Sequence, residues 1–183
     1  FFYINNDMTQ DMDGDYAYAD WGRYNTIENG DKTHEIWSTL SVDEVRYLFQ
    51  KRDKSTELFG LGYVGSINGL FLMPDDYVQL KNIHIKSFKE TNGNCDPELN
   101  RFTYAEFSTL EKHGVVFLPG AGRANYLGGT SFSPTPGWYW TSSTADEKPE
   151  YVWMLYFDED RVGLHEGERN YGRSVRLVLK IVG

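Results

Sequence analysis

The side chains best able to do chemistry at a surface gather in the last third of the chain. Gly137-Trp138-Tyr139-Trp140-Thr141-Ser142-Ser143 reads as an aromatic strand and Gly172-Arg173-Ser174-Val175-Arg176-Leu177-Val178 as a closing strand, with a polar and aromatic segment held between them. Several reactions can be tested on residue type and spacing alone. Ser142 and His165 invite a hydrolase reading, but no Gly-x-Ser-x-Gly elbow exists to present a nucleophile. Asp158, Glu159 and Asp160 are adjacent, whereas glycosidic cleavage needs two acids facing each other across a cleft, so they read as turn formers. His34, His84, His113 and His165 lie far apart, none at helical ligand spacing, and read as surface or hydrogen-bonded histidines. Asp11, Asp13 and Asp15 alternate as ligands of a hard cation do. Gly14 is not where an EF-hand loop needs its glycine, however, and no bidentate Glu follows, which leaves a solvated acidic loop. Cys95 is the single cysteine, so neither an intrachain disulfide nor a thiolate cluster can form, and its loop setting from Thr91 to Pro97 makes it a bystander thiol. Arg173 and Arg176 suggest an anion site, but within a closing strand they read as structural hydrogen-bonding or salt-bridging groups. No catalytic residue, metal site or cofactor is implied.

Composition narrows the partners. With 183 residues the chain is long enough for one well-buried core and short for two, which predicts one domain over 1–183. A formal charge of -9, with no run of Lys and Arg, excludes nucleic acid and anionic lipid as natural partners. No apolar run approaches the roughly 20 residues of a membrane span, so direct membrane insertion is not expected. An aromatic share of 16% suits a protein that presents rings to a ligand as well as burying them. Phe1-Phe2-Tyr3-Ile4 has neither an initiator Met nor the layout of a signal peptide, and reads as the start of a trimmed product or of one module of something longer.

The elements that must position these residues follow from pattern. The stretch through Asp31 lacks period and would be held down by Tyr16, Tyr18, Trp21 and Tyr24. Ser41-Val42-Asp43-Glu44 is a capping box opening a helix to about Arg52, with Val42, Val45, Leu48 and Phe49 on one face. Thr103-Tyr104-Ala105-Glu106 repeats the signal, followed by a stripe of Tyr104, Phe107 and Leu110 and a stop at Gly114. Leu61 to Ile67 and Leu70 to Met73 flank Asn68-Gly69, a pair suited to a tight hairpin turn. Val115 to Leu118 reads as a buried strand, and Gly122 to Pro136 as a loose loop. Trp138 to Thr141, Tyr151 to Phe157, Arg161 to His165 and Ser174 to Val182 read as further strands, with Asp158-Glu159-Asp160 turning one hairpin. Alternation divides one strand into Tyr151, Trp153, Leu155 and Phe157 against Val152, Met154 and Tyr156, two faces about equally apolar. Trp138 and Trp140 share a face, Trp140 in the core, with Tyr139 pointing the other way. The sum is an α+β domain.

These residues also carry a resemblance. "YAYADWGRYN" (16–25), "WSTLSVDEVRYL" (37–48), "NGLFLMPDD" (68–76), "GVVFLPGAGR" (114–123), "GWYWTSS" (137–143) and "GRSVRLV" (172–178) occur in the same order in a widespread Bacteroidetes surface-protein domain related to the Fibrobacter major paralogous domain. That group resembles the branch of the C-type-lectin-like fold that includes formylglycine-generating-enzyme-like domains and the variable proteins of diversity-generating retroelements. The resemblance implies two helices packed on a small twisted antiparallel sheet, with long loops presenting a ligand surface. It implies a cell-surface or secreted location. Formylglycine generation would need a pair of copper-holding cysteines, and Cys95 stands alone. Calcium-dependent sugar binding would need Glu-Pro-Asn or Gln-Pro-Asp with Trp-Asn-Asp, and none is present. In the retroelement proteins, ligand contacts come from the segment that corresponds here to Thr144 through Tyr171. The resemblance therefore implies a recognition surface including Tyr151, Trp153, Arg161, His165, Glu168, Arg169 and Tyr171, where rigid rings among polar groups give contact area at small entropy cost. The expected function is non-enzymatic binding of a protein or glycan ligand without calcium. The alternatives are a structural module of a larger adhesin or pilus-like assembly, and a degenerate enzyme of the formylglycine-generating type. The sequence leaves the oligomeric state open.

Overall fold

Two apolar layers organise the chain. The computed structural model describes residues 37–124, 130–131, 136–145 and 148–179. The aromatic segment before Asp31, the acidic run at Asp11, Asp13 and Asp15, and His34 lie outside the described residues.

Strands β2 (Phe59–Val64) and β3 (Ile67–Leu72) form a hairpin at the centre of a four-stranded sheet. It is flanked by β4 (Arg101–Phe102) and β5 (Val116–Pro119), giving the order β4-β2-β3-β5. Both central strands read as nearly unbroken apolar runs because both faces of this sheet are covered. One face sends Phe59, Leu61, Leu70 and Leu118 into a core closed by Val45 and Phe49 and by Tyr139, Leu155 and Phe157 from a second sheet. The other sends Val64, Phe71, Met73 and Phe102 into a core with Ile85, Leu110 and Val115. The second sheet is three-stranded, β10-β9-β8, built from β8 (Gly137–Ala145), β9 (Lys148–Phe157) and β10 (Val162–Glu168). A short pair joins β1 (Trp37–Thr39) to β11 (Leu177–Leu179), and another joins β6 (Arg123–Ala124) to β7 (Thr130–Ser131).

Both capping boxes form. Ser41 N–H donates to Glu44 Oε2 at 2.7 Å and opens α1 (Val42–Arg46). Thr103 N–H donates to Glu106 Oε2 at 2.8 Å and opens α2 (Tyr104–Glu111). The α1 helix continues as a π-helical turn over Tyr47–Lys51, where Arg52 N–H reaches the Tyr47 carbonyl, so the expected helix to Arg52 widens after its first turn. Gly114, at φ +82, follows α2 as its stop. Glu106 is held below its usual value of 4.5 by the Thr103 N–H and hydroxyl. A depressed folded-state pKa gives stability that is present above the unfolded value and is lost as pH falls through the folded one. Glu106→Gln is therefore expected to flatten the acid-unfolding curve below pH 4.5; an acid limb identical to that of the unsubstituted chain would refute this.

The structure corrects several expectations. The hairpin turns at Gly65-Ser66, with Gly65 at φ +61, and Asn68-Gly69 lies inside β3. Asn-Gly serves packing there: a Cβ on Gly69 would sit 2.4 Å from the Leu118 carbonyl oxygen. Tyr104 does not join the buried stripe of α2; it is exposed, its ring over Gly65. The helices pack on opposite faces of the four-stranded sheet, α1 and its π-helical turn through Val45 and Phe49 and α2 through Leu110, and that sheet is mixed rather than wholly antiparallel. Four sheets are present among the described residues, and β4 pairs with β2 in parallel, because Asn100 delivers the chain to Tyr63 from the far side of a long loop. Described strand at the closing end is Leu177–Leu179, and Arg161 belongs to the turn before β10. Among the described residues the architecture is mixed α and β with two short helices and several sheets.

Candidate aromatic and guanidinium face

Strand alternation in β8, β9 and β10 sorts their side chains. In β8 the register pairs Trp138 with Tyr156 and Trp140 with Met154, while β10 places Gly163 beside Tyr156, His165 beside Met154 and Gly167 beside Val152. All of these side chains share the face turned away from the Leu155 and Phe157 core. Trp140 is buried against Val152 and Met154, while Tyr139 points into the opposite core and its hydroxyl donates to the Pro119 carbonyl at 2.8 Å. Burial pushes Tyr139 up to about 12, so it stays a neutral donor.

The segment 172–175 docks beside β8 and carries this face further. Ser174 N–H donates to the Trp138 carbonyl at 3.0 Å, and Trp140 N–H donates to the Ser174 carbonyl at 2.9 Å. On its other side, Ala124 and Gly172 exchange two backbone hydrogen bonds at 2.8 and 2.9 Å in an antiparallel bridge. Counting outward from that pair sets Arg123 directly across from Arg173, and the parallel bridge of Ser174 to Tyr139 puts Arg173 on the Trp138 and Trp140 side.

The side chains bear this out. Arg173 lies with its guanidinium carbon 4.3 Å from the Trp140 ring centre, 5.0 Å from Trp138 and 5.5 Å from Tyr171. Arg123 lies 5.0 Å from Trp138 and 5.1 Å from Tyr171. Trp138 packs on Tyr156 at 4.3 Å, Tyr156 meets His165 edge-on at 5.4 Å, and Arg161 sits 5.1 Å over Tyr156. One continuous array thus runs from Arg161 and His165 through Tyr156 and Trp138 to Arg123, Arg173 and Tyr171. Burial, then the charge of Arg161, pushes His165 below its ordinary value, so the ring is neutral at physiological pH. Burial, then Arg123, pushes Arg173 down to about 10.

The residues expected at the recognition surface divide between two faces. Arg161, His165 and Tyr171 belong to the array. Tyr151 and Trp153 share the parity of Leu155 and lie on the other face, where Lys148 sits 5.5 Å from the Tyr151 ring and pairs with Glu166 at 2.9 Å; Glu168, at the end of β10, has that parity too, but its charge reaches Arg173 and favours the charged guanidinium. Arg169 N–H donates to the Glu150 carbonyl at the rim. Trp138, Tyr156, Arg123 and Arg173 were not singled out for this surface from sequence. Alternation of Trp138 with Trp140 signalled the shared face, but nothing local joins Arg123 to Arg173.

The residues weighed for catalysis have structural places. Ser142 N–H donates to the Leu40 carbonyl, and the Ser143 hydroxyl accepts the Val42 N–H at the start of α1. Thr141 donates to the Trp153 carbonyl at 2.7 Å, so the Thr-Ser-Ser segment is spent on a bulge of β8. Asp158 accepts from the Asp160 and Arg161 amides and closes its turn. His84 pairs with Glu90, and His113 bonds the Thr109 carbonyl. Cys95 is buried and pushed up to about 11, chiefly by burial, so it remains a thiol at neutral pH. Among the described residues no group of three His, Cys, Asp or Glu is placed to hold a metal. An apolar cleft of about 110 Å³ lies between Phe49, Phe59, Phe88 and Leu164, below the roughly 300 Å³ of small-molecule sites. No helix among the described residues is long and apolar enough to cross a membrane. Compared with protein-family models, curated proteins and solved structures, the chain matches none.

Proposed function

We propose that this chain is a non-enzymatic recognition domain of a bacterial surface or secreted protein, with a C-type-lectin-like fold, binding a protein or glycan partner without calcium. The observation that supports it is the array on the outer face of β8, β9 and β10. Rings and guanidinium groups alternate there in a chain of formal charge -9. Elsewhere among the described residues several cations are matched with carboxylates: Arg46 with Asp43, Arg52 with Asp75, Lys89 with Glu57, Arg101 with Glu98, and Lys148 with Glu166. Rigid rings beside forked donors are what binding surfaces concentrate, since they give area and direction at low entropy cost.

The test is a glycan-array and cell-surface binding screen with and without EDTA. It would compare the unsubstituted chain with an Arg123→Gln, Arg161→Gln, Tyr171→Ala variant and with a Tyr151→Ala control on the opposite face, each of verified fold. Chelator-insensitive binding lost by the first variant and kept by the second is the expected result. Binding to nothing, or equal binding by all three proteins, would overturn the reading in favour of a structural module.

A further inference from the structure

Arg123 and Arg173 stand directly opposite each other across the Ala124–Gly172 bridge, an arrangement in which like charges repel. Among the described residues neither forms an ion pair with a carboxylate, Glu168 acting on Arg173 only through its charge. The Nε and Nη1 atoms of Arg173 are buried without a hydrogen-bond partner. The guanidinium fits there because Gly167 lacks a side chain; a Cβ at that position would lie 2.4 Å from Nη1. Covered N–H groups of a cation are costly to leave without acceptors, and a native fold that keeps them calls for an acceptor that arrives from outside. Stacking on Trp138, Trp140 and Tyr171 holds the two guanidinium groups in place but supplies no acceptor oxygen.

Resting on the reading of this face as a binding surface, we propose that Arg123 and Arg173 form an oxyanion-binding pair that takes the carboxylate or sulfate group of an acidic sugar. The anion's oxygens would accept from both guanidinium groups, relieving their repulsion and satisfying the covered donors, in the fork-to-oxygen geometry that Arg favours. The sugar ring would stack on Trp138 or Tyr171, which lie 5.0 to 5.5 Å from the two guanidinium carbons. A uronate carries its charge directly on a rigid ring, and a sugar 6-sulfate carries it on a short exocyclic arm, so either can meet an aromatic ring and an adjacent cation at once. Exposed Arg123 is the entry, and the more covered Arg173 is the anchor.

The experiment is a titration followed by ¹⁵N NMR of the arginine Nε–H groups and by calorimetry, with D-glucuronate, glucose 6-sulfate, glucose and sodium sulfate as probes. Glucuronate and glucose 6-sulfate are expected to saturate and to shift the Arg173 Nε–H signal. Arg123→Gln should weaken both by about tenfold or more, as loss of a charge-assisted hydrogen bond does. Gly167→Ala, which displaces only the flexible end of Arg173, should weaken them likewise, and it keeps the test open if Arg173→Gln fails to fold. Glucose binding as tightly as glucuronate would overturn the anion pair while leaving the recognition face standing. Sodium sulfate binding as tightly as glucose 6-sulfate would overturn the sugar assignment. Binding of none of the four would overturn the pair, and the array screen decides separately whether the face binds something else.

Discussion

Replacing Arg52 with Met is expected to destabilise the fold by about 3–5 kcal/mol, chiefly because two carbonyls lose the donor that satisfies them. Arg52 is 5% exposed, and it ties three elements together. Its Nε donates to the Leu48 carbonyl at 2.7 Å, Nη1 to the Met73 carbonyl at 2.9 Å and to Asp75 at 3.0 Å, and Nη2 to the Leu58 carbonyl at 3.0 Å. The π-helical turn after α1 thereby caps itself and binds the end of β3 and the start of β2 in one gesture. Met replaces the aliphatic stem of the side chain but returns none of the donors. The Leu48 and Met73 carbonyls lose their Arg52 donors, at about 1–3 kcal/mol for each acceptor left unsatisfied, while Leu58 keeps the Met73 N–H. Asp75, by contrast, is largely exposed, so Asp75→Asn should cost no more than about 1 kcal/mol, as exposed ion pairs do. Urea unfolding at constant m-value would check both. Equal, small losses in the two variants would show that the charge pair rather than the carbonyl capping is what matters, and would sink the argument.

Gly62→Ala should be nearly as damaging, by about 3 kcal/mol, at the upper end of overpacking costs. A Cβ there would lie 2.3 Å from the Asn100 carbonyl oxygen, 2.4 Å from the Asn100 Cβ and 2.8 Å from the Phe71 ring. None of these can retreat cheaply. Tyr63 N–H donates to that Asn100 carbonyl at 2.7 Å, the bond that begins the parallel pairing of β2 with β4. The Asn100 side chain accepts from Lys86 N–H and donates to the Leu61 and Lys86 carbonyls, while Phe71 is fully buried. The methyl group would therefore push on a hub rather than on a loose end. Gly163→Ala offers the contrast, because the nearest atom to its Cβ is His165 Nε2 at 3.7 Å. Thermal unfolding of the two variants should separate them clearly; similar midpoints would mean that the Asn100 segment yields freely.

Local chemistry was legible in the sequence and cross-chain chemistry was not. The capping boxes at Ser41 and Thr103 could be read because donor and acceptor lie three residues apart. Even so, the same Ser-x-x-Glu pattern at Ser87 and Glu90 makes its reciprocal bonds without a helix, since Asn92 and Gly93 turn left-handed after one turn. Asn68-Gly69 carried a strong local turn signal, and tertiary packing overrode it: the close approach of Phe117 and Leu118 needs a glycine in the strand, and Gly65 was free to take the turn. The two faces of β9 were equally apolar in sequence because each carries packed side chains: Leu155 and Phe157 in the central core, Val152 and Met154 against Trp140 with Tyr171 and Val175. That is why Trp153 and Tyr151 could not be told from His165 by pattern. Arg123 and Arg173 sit in unrelated stretches, and only the bridge at Ala124 and Gly172 makes them neighbours.

That bridge, together with the pairing of β11 to β1, makes chain closure and formation of the face a single event. Trp37 meets Leu179, and Ala124 meets Gly172, across long separations in sequence. Contacts of that kind come late in folding because loop closure precedes any gain from them. An unfinished or partly opened chain would therefore carry scattered rings and cations rather than half a face. On the proposed reading, a ligand held there would act as a clasp, adding its binding free energy to the stability of the whole molecule, and any opening that frees residues 172–179 would let it go.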